Sequence, residues 1–183
     1  MTSSEKPVLT GARVTLRDGT AADAAARFAL GNDPEIQALF GADPTQVRPI
    51  TEDAAQAWVN SVVNDSYAWV IEAEGKLLGS VRLHSINRAD KRANVAIGIL
   101  NTDTLGRGYG TEAMHVLARH AFDTIGMHRL CARVLAYNTR AIAAYKKVGF
   151  VEEGRERESA FISTGWEDDV IMGLLPRDLK APA

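Results

Sequence analysis

The chain is 183 residues long, carries 21 Lys and Arg against 23 Asp and Glu for a net charge of -2, and is 46% hydrophobic. That length is one ordinary domain, at roughly 100–200 residues per domain, and the composition excludes an intrinsically disordered chain. Without a basic excess, neither nucleic acid nor anionic lipid is expected as the main partner.

In chain order, Ala12 to Arg17 alternates apolar and polar residues, the period of a half-buried strand. Thr20, with Asp23 three positions on, starts a helix that carries Ala24, Ala25, Phe28, Ala29 and Leu30 and stops near Gly31-Asn32. Asp33 to Pro49 holds three prolines and reads as short helical turns and loop, a segment able to cover a pocket. Thr51 to Val63 repeats apolar residues at three and four, predicting a second amphipathic helix. The period then changes to two: Tyr67–Glu72, a Gly75 turn, Lys76–His84, a polar loop at Asn87–Arg92 and Val95–Leu100 predict a three-stranded meander.

A glycine-rich turn at Gly106-Arg107-Gly108-Tyr109-Gly110 leads into a helix with Ala113, Met114, Leu117, Ala121, Phe122 and Ile125 on one face. Glu112, His115, Arg119 and Asp123 fall on its polar face. A strand follows at Arg129–Ala136, then a helix capped by Asn138 and stopped after Val148 by Gly149. Strands near Phe150–Arg157 and Asp168–Leu174 close the chain around Ser163-Thr164-Gly165. This order predicts an α/β or α+β layered domain, in which Val95 through Ala136 is one crossover unit joining two parallel strands. One domain is expected over residues 1–183, with flexible ends at about 1–7 and 177–183.

A strand entering a helix through glycines aims several N–H groups and the positive end of the helix dipole at one point, which suits a pyrophosphate. Glycine allows both the positive φ angles and the close approach of a ligand. A tight turn without a ligand is the alternative. The nucleotide-triphosphate loop, Gly-x-x-x-x-Gly-Lys-Ser/Thr, is absent. The dinucleotide fingerprint fails because Thr111 stands at its last glycine and no acidic residue follows the next strand at Tyr137-Asn138.

This turn combines with Asn138-Thr139-Arg140-Ala141-Ile142-Ala143-Ala144-Tyr145-Lys146-Lys147-Val148-Gly149-Phe150. Together they closely resemble the GCN5-related N-acetyltransferase (GNAT) superfamily, whose turn reads Gln/Arg-x-x-Gly-x-Gly/Ala and whose second motif reads Asn-x-x-Ala-x-x-x-Tyr-x-Lys-x-Gly-Phe. The resemblance runs from Val14-Thr15-Leu16-Arg17 to Val170-Ile171-Met172 and is strongest to the ribosomal-protein N-terminal and spermidine acetyltransferase branch. It implies a mixed sheet of about seven strands, flanked by about four helices and splayed open between Leu100 and the strand Arg129–Ala136. Acetyl-CoA would lie in the opening as co-substrate.

On that resemblance the backbone of Ile97, Gly98, Ile99 and Leu100 pairs with the pantetheine arm. The turn Leu105, Gly106, Arg107, Gly108, Tyr109, Gly110 and Thr111 holds the pyrophosphate. Asn138 and Ala141 touch the cofactor arm, and Tyr145 gives a proton to the departing thiolate. By themselves, Asn138 reads rather as a helix cap and Tyr145 as a packed helix aromatic.

Two residues depart from the pattern: Leu105 replaces Gln/Arg, and Ala96 stands where many relatives have a glutamate base. An alkylammonium, with pKa near ~10.4, must lose its proton before attacking a thioester, whereas an α-amine near ~8 is already partly neutral. The reading therefore tilts to a weakly basic amine such as a peptide N-terminus, with a small-molecule amine also open and His84 the candidate base. His115, His120 and His128 are less well placed. Glu35, Asp43, Glu52 and Asp53 are candidates to line the acceptor entrance. Transfer is expected to be direct, since Cys131, the one cysteine, lies mid-strand without an activating partner and also excludes an internal disulfide. No zinc motif His-Glu-x-x-His occurs. The alternative function is a non-catalytic acyl-CoA sensor. The first seven residues lack the apolar run of a signal peptide and no window approaches a span of ~20 apolar residues, so a cytoplasmic location is expected. Homodimers built through the last strands are common among similar proteins.

Overall fold

The structure, a computed structural model, describes residues 6–182. It contains β1 (Leu9–Thr10), β2 (Val14–Arg17), α1 (Ala21–Leu30), α2 (Pro34–Ala38), α3 (Glu52–Val63), β3 (Ala68–Ala73), β4 (Lys76–Asn87) and β5 (Arg92–Ile99). These are followed by α4 (Tyr109–Asp123), β6 (Arg129–Leu135), α5 (Thr139–Val148), β7 (Val151–Ile162) and β8 (Gly165–Leu174). Among the described residues the sheet has eight strands rather than about seven, in the order β1-β2-β3-β4-β5-β6-β8-β7, and five α-helices rather than about four. The additions are a two-residue strand and a five-residue helix, both too short to show a period.

Every neighbouring pair is antiparallel except β5 and β6, which run parallel across the α4 crossover. Alternation along β3 divides the interior. Trp69 and Ile71 enter the main core with Leu83, Leu117, Leu130 and Met172 under α4 and α5. Ala68 and Val70 face the other way, toward Val62 and Trp58 of α3 and Ala26 and Leu30 of α1. No helix among the described residues is long and apolar enough to cross a membrane.

Polar residues fix several elements that hydrophobic period alone does not. In α1 the inward residues are Asp23 and Arg27, while Phe28 stays exposed. Asp23 is drawn in by Arg17 on β2, whose guanidinium is bonded to Asp23 (2.8 Å) and Glu72 (2.6 Å), while Arg27 donates to Gly31 O (2.5 Å) and Asn32 Oδ1 (2.7 Å). Asp23 in turn accepts from the N–H and hydroxyl of Thr20 at 2.7 and 2.9 Å. On α4, Glu112 and His115 leave the expected solvent face. Glu112 accepts from the N–H groups of Arg13 (2.6 Å) and Val14 (3.1 Å) and from Arg13 Nε (3.0 Å), joining the first turn of α4 to β2. His115 is buried and bonded through Nε2 to Lys180 O at 2.6 Å. A carbonyl only accepts, so the proton is on Nε2.

Burial works to raise the Glu112 carboxyl, but the N–H donors and the Arg13 guanidinium outweigh it and hold the group below the usual glutamate range. A depressed carboxyl stabilises the fold above its unfolded pKa, and that stability is lost as pH falls through the folded value. Glu112→Gln is accordingly expected to cost about 1–2 kcal/mol at neutral pH. In urea melts the gap from wild type should narrow progressively as pH falls below the usual glutamate range; a gap unchanged by acidification would contradict the ionic role.

The described parts of both ends are docked rather than loose. Lys6 Nζ donates to Asp18 (2.9 Å) and Val62 O (2.7 Å), and Pro7 O accepts from Trp69 Nε1 (2.9 Å). At the other end Lys180 N donates to Val148 O at 3.0 Å and Lys180 Nζ to Lys146 O at 2.8 Å. The same expectation for residues 1–5 and 183 lies outside the described residues.

Candidate active site

The pairing of β5 with β6 covers only Arg92–Asn94 against Arg129–Cys131. Beyond it the two strands part, as the resemblance implies, and a cavity of about 260 Å³ fills the opening. Ile97 and Ile99 line it from β5, with Leu105, Gly106, Gly108, Tyr109, Gly110 and Thr111 from the turn and start of α4. From α5 come Asn138, Ala141 and Tyr145. Those expected positions are brought together.

Three others, Gly98, Leu100 and Arg107, do not line the cavity. Gly98 faces the opposite side of β5, where the Phe40 ring lies 3.8 Å from the place its Cβ would occupy. The N–H of Leu100 donates back to Leu78 O at 2.9 Å and is closed to a ligand. Arg107 lies between Gly106 (φ 75°) and Gly108 (φ 86°). These left-handed residues turn its side chain out to solvent, while its carbonyl accepts from Arg13 Nη1 at 3.0 Å.

Gly108 is the N-cap of α4 and makes no side-chain cap, so the leading N–H groups of the helix have no side-chain partner. Such an end attracts an anion. Tyr109 braces this corner: its hydroxyl donates to Glu74 Oε1 at 3.1 Å and its ring lies under the Arg13 guanidinium, 5.1 Å from the centroid.

Tyr145 is 5% exposed and sits edge-on to Phe150, with centroids 5.0 Å apart. Burial alone pushes its phenol well above the ordinary tyrosine range, so the hydroxyl holds its proton throughout the neutral range. Asn138 is both cap and clasp. Its Oδ1 accepts from Ala141 N at 3.1 Å, and its Nδ2 donates to Leu39 O at 3.2 Å.

The segment from Asp33 to Ala42 does cover a pocket: Ile36, Leu39 and Phe40 line the cavity. It forms a strap fastened to both lips of the opening. On the β5 side Asp33 accepts from Thr102 N (3.3 Å) and Thr102 Oγ1 (2.9 Å). Across the opening, Tyr137 OH donates to Ala38 O at 2.6 Å beside the Asn138 bond. Neither Glu35, Asp43, Glu52 nor Asp53 lines the cavity; Asp43 caps a 3₁₀ turn instead, accepting from Thr45 N at 2.9 Å.

Ala96 is exposed and lies opposite Arg82, so no carboxylate replaces the missing base on that strand pair. His84 lies opposite Asn94, at the closed end of the sheet, and is bonded to Ser85 Oγ at 3.1 Å. None of His84, His115, His120 and His128 lines the cavity. His120 packs edge-on to Trp69 at 5.7 Å, and burial lowers its pKa.

Lining residues that the sequence reading passed over include Thr104, Met114, Arg140, Ala143, Ala144 and Lys147. For α5 the signal was present, because Arg140, Ala144 and Lys147 fall at i, i+4 and i+7, one face of a helix.

Among curated proteins, the chain is 27% identical over 105 residues to YdaF of Bacillus subtilis, whose name assigns it only provisionally to ribosomal N-acetylation. That match covers 57% of each chain. It is 30% identical over 104 residues to the spermidine N(1)-acetyltransferase of Escherichia coli K12, covering 57% of this chain and 55% of that one. The chain thus spans little more than half the length of these relatives. A crystal structure of spermidine N-acetyltransferase from Vibrio cholerae, in complex with CoA and spermine, superposes with a TM-score of 0.74 at 25% identity. It covers 92% of this chain and 98% of that one. Residues 13–151 match the sequence profile of the acetyltransferase (GNAT) domain. With that stretch come the opened sheet, the uncapped α4 and the buried Tyr145, and the chain belongs to the GNAT acetyltransferase family.

Proposed function

We propose that this protein is an acetyl-CoA-dependent N-acetyltransferase that moves the acetyl group directly to a primary amine, either a peptide N-terminus or a small-molecule amine. The observation that carries the reading is one cavity holding both the uncapped start of α4 and the buried hydroxyl of Tyr145. Among the described residues no carboxylate lines that cavity, so a cofactor with several phosphates fits it. The thioester of acetyl-CoA supplies the activated acetyl group. The chain contributes main-chain donors from Gly108 to Thr111 for the pyrophosphate, apolar walls from Ile97 and Ile99 that exclude water, and a proton held on Tyr145 Oη for the leaving sulfur.

Ile97 and Ile99 reach Gly110 on the α4 side of the sheet, whereas Phe40 of the strap lies against Gly98 on the other side. The phosphates belong on the α4 side, and the amine acceptor therefore approaches from the strap side. With neither Ala96 nor a histidine to accept its proton there, the acceptor is a weakly basic amine that loses the proton to water. The cytoplasm is the site of action on this reading, with the chain working as one domain and without nucleic acid or membrane as partner. Dimerisation through the last strands is supported by the β7 edge, exposed from Val151 to Glu158.

Ala96 also favours a second reading, a sensor that binds acetyl-CoA without transfer. Isothermal titration with acetyl-CoA, followed by thiol release with pooled amines and short peptides, separates the two. The enzyme should bind and release thiol with at least one pool. Binding without release across a broad panel supports the sensor, and no binding overturns both.

A further inference from the structure

We propose that Asp169 of β8 holds the water that takes the proton from the acceptor amine, which makes it a positioning residue for acetyl transfer. The inference rests on the transfer reading above, which leaves that proton without a protein group to receive it. Asp169 is a buried carboxylate, 5% exposed, and lies outside the cavity lining. It is paired with Leu135 across β6 and β8, so the two side chains share one face of the sheet. That is the strap face, because Leu135 Cδ1 lies 3.5 Å and Ile162 Cγ2 3.0 Å from the place a Cβ on Gly41 would occupy. The carboxylate thus stands on the side from which the acceptor approaches, one strand beyond the β6 lip of the opening.

The way this carboxylate is held leaves one oxygen free. Arg133 Nε donates to Oδ2 at 2.6 Å, and Ser159 Oγ donates to the same oxygen at 2.8 Å. Two other arginine pairs, Arg17 with Asp23 and Arg129 with Glu153, engage both carboxylate oxygens. Arg133 instead shares its Nε with Glu156 at 3.3 Å and turns Nη2 to Ser159 O, also at 3.3 Å. Oδ1 of Asp169 therefore has no donor among the described residues, yet it is open to solvent. Strand β7 is deformed around this arrangement. Its pairing with β8 slips between Glu156 and Ala160, Glu158 takes a left-handed φ of 50°, and Ser159 is delivered onto Asp169. Bulges of this kind re-aim side chains beside active sites.

Strand spacing sets the reach. Neighbouring strands lie about 4.8 Å apart, and one bridging water, with two hydrogen bonds of about 2.8 Å each, spans that interval. In the step, the amine nitrogen attacks the thioester carbonyl carbon, and the C–N bond forms as the C–S bond breaks. Tyr145 gives its proton to the sulfur. The nitrogen passes its surplus proton to the water, which gives one of its own to Oδ1 of Asp169. Solvent then reprotonates Tyr145 and takes the proton from Asp169, so no charge accumulates.

The test uses whichever acceptor pool releases thiol with wild type. Asp169→Asn should lower kcat by about 10²-fold, while titrated acetyl-CoA affinity stays within about twofold and so reports a folded protein. Its solvent isotope effect on kcat should exceed that of wild type, because proton removal then limits turnover. Arg133→Met breaks the same ion pair from the other side but keeps the carboxylate, and should cost no more than about fivefold in kcat. Equal losses in the two variants, a loss confined to acceptor KM, a parallel fall in acetyl-CoA affinity, or an unchanged isotope effect would each reduce Asp169 to a strut for β7 and leave the transfer reading standing. Wild type that binds acetyl-CoA but releases thiol with no acceptor would overturn the transfer reading itself.

Discussion

Replacing Tyr145 by Phe is expected to lower kcat for acetyl transfer by about 10²-fold or more, while acetyl-CoA affinity stays within about twofold. The substitution removes one oxygen and little else. The ring is buried edge-on against Phe150, and phenylalanine keeps that packing. What is lost is a proton donor whose pKa burial alone has raised. A CoA thiol near ~8.5 is far more acidic than this phenol, so the phenol stays protonated and solvates the sulfur as charge develops there. A contact that strengthens only as the C–S bond breaks appears in kcat and not in ground-state binding. Steady-state kinetics with titrated affinity checks this, and the wild-type rate should rise with pH as the acceptor amine deprotonates, with no fall in the neutral range from a tyrosine. Parallel losses in kcat and affinity would assign Tyr145 to binding instead.

Asn138→Asp should separate the two tasks of that side chain. Aspartate caps a helix as well as asparagine does, so the bond from Ala141 N survives. The donor to Leu39 O disappears, and a carboxylate oxygen is left facing a carbonyl oxygen. Losing a partner for a part-buried carbonyl costs about 1–3 kcal/mol, which corresponds to roughly tenfold or more in the KM of the acceptor. Because Tyr137 OH and Asp33 still hold the strap, the fold should persist, with Tm lowered by about 2–12 °C. Two-substrate kinetics reads the outcome. A rise in acceptor KM alone places Asn138 as a positioning residue for the strap; a rise in acetyl-CoA KM alone returns it to the cofactor arm.

The sequence made the elements with strong local signatures readable. Thr51, Asn138 and Gly149 bound their helices where cap chemistry places them, and the turn at Gly75 joins two strands of a meander. The opening of the sheet was legible through family resemblance alone, since no local pattern in Val95–Ile99 announces where pairing with β6 ends. The misses share a cause, which is dependence on residues distant in sequence. Glu112 and His115 look solvent-facing on a helical wheel until β2 and the chain near Lys180 come to meet them. Asp23 turns inward because Arg17 waits on a neighbouring strand. At the site, the resemblance gives Arg107 to the pyrophosphate turn as one of its main-chain donors, and the two glycines beside it leave its side chain exposed.

The three paired residues that join β5 to β6 bear on how the chain reaches this shape. From β3 to β5 each strand pairs with the one before it across a short turn, so that meander assembles largely through short-range contacts, whereas β2 reaches β3 across α1, α2 and α3. The strands β6 to β8 form a second antiparallel unit, and the ladder between the two units is confined to Arg92–Asn94 and Arg129–Cys131. Loop-closure entropy favours early formation of the local meander. Docking of the second unit then depends on α4, which packs across β1, β2, β4 and β5 while touching α5. The cavity is thus the seam between two cooperative folding units, and its walls acquire their final spacing only when those units join.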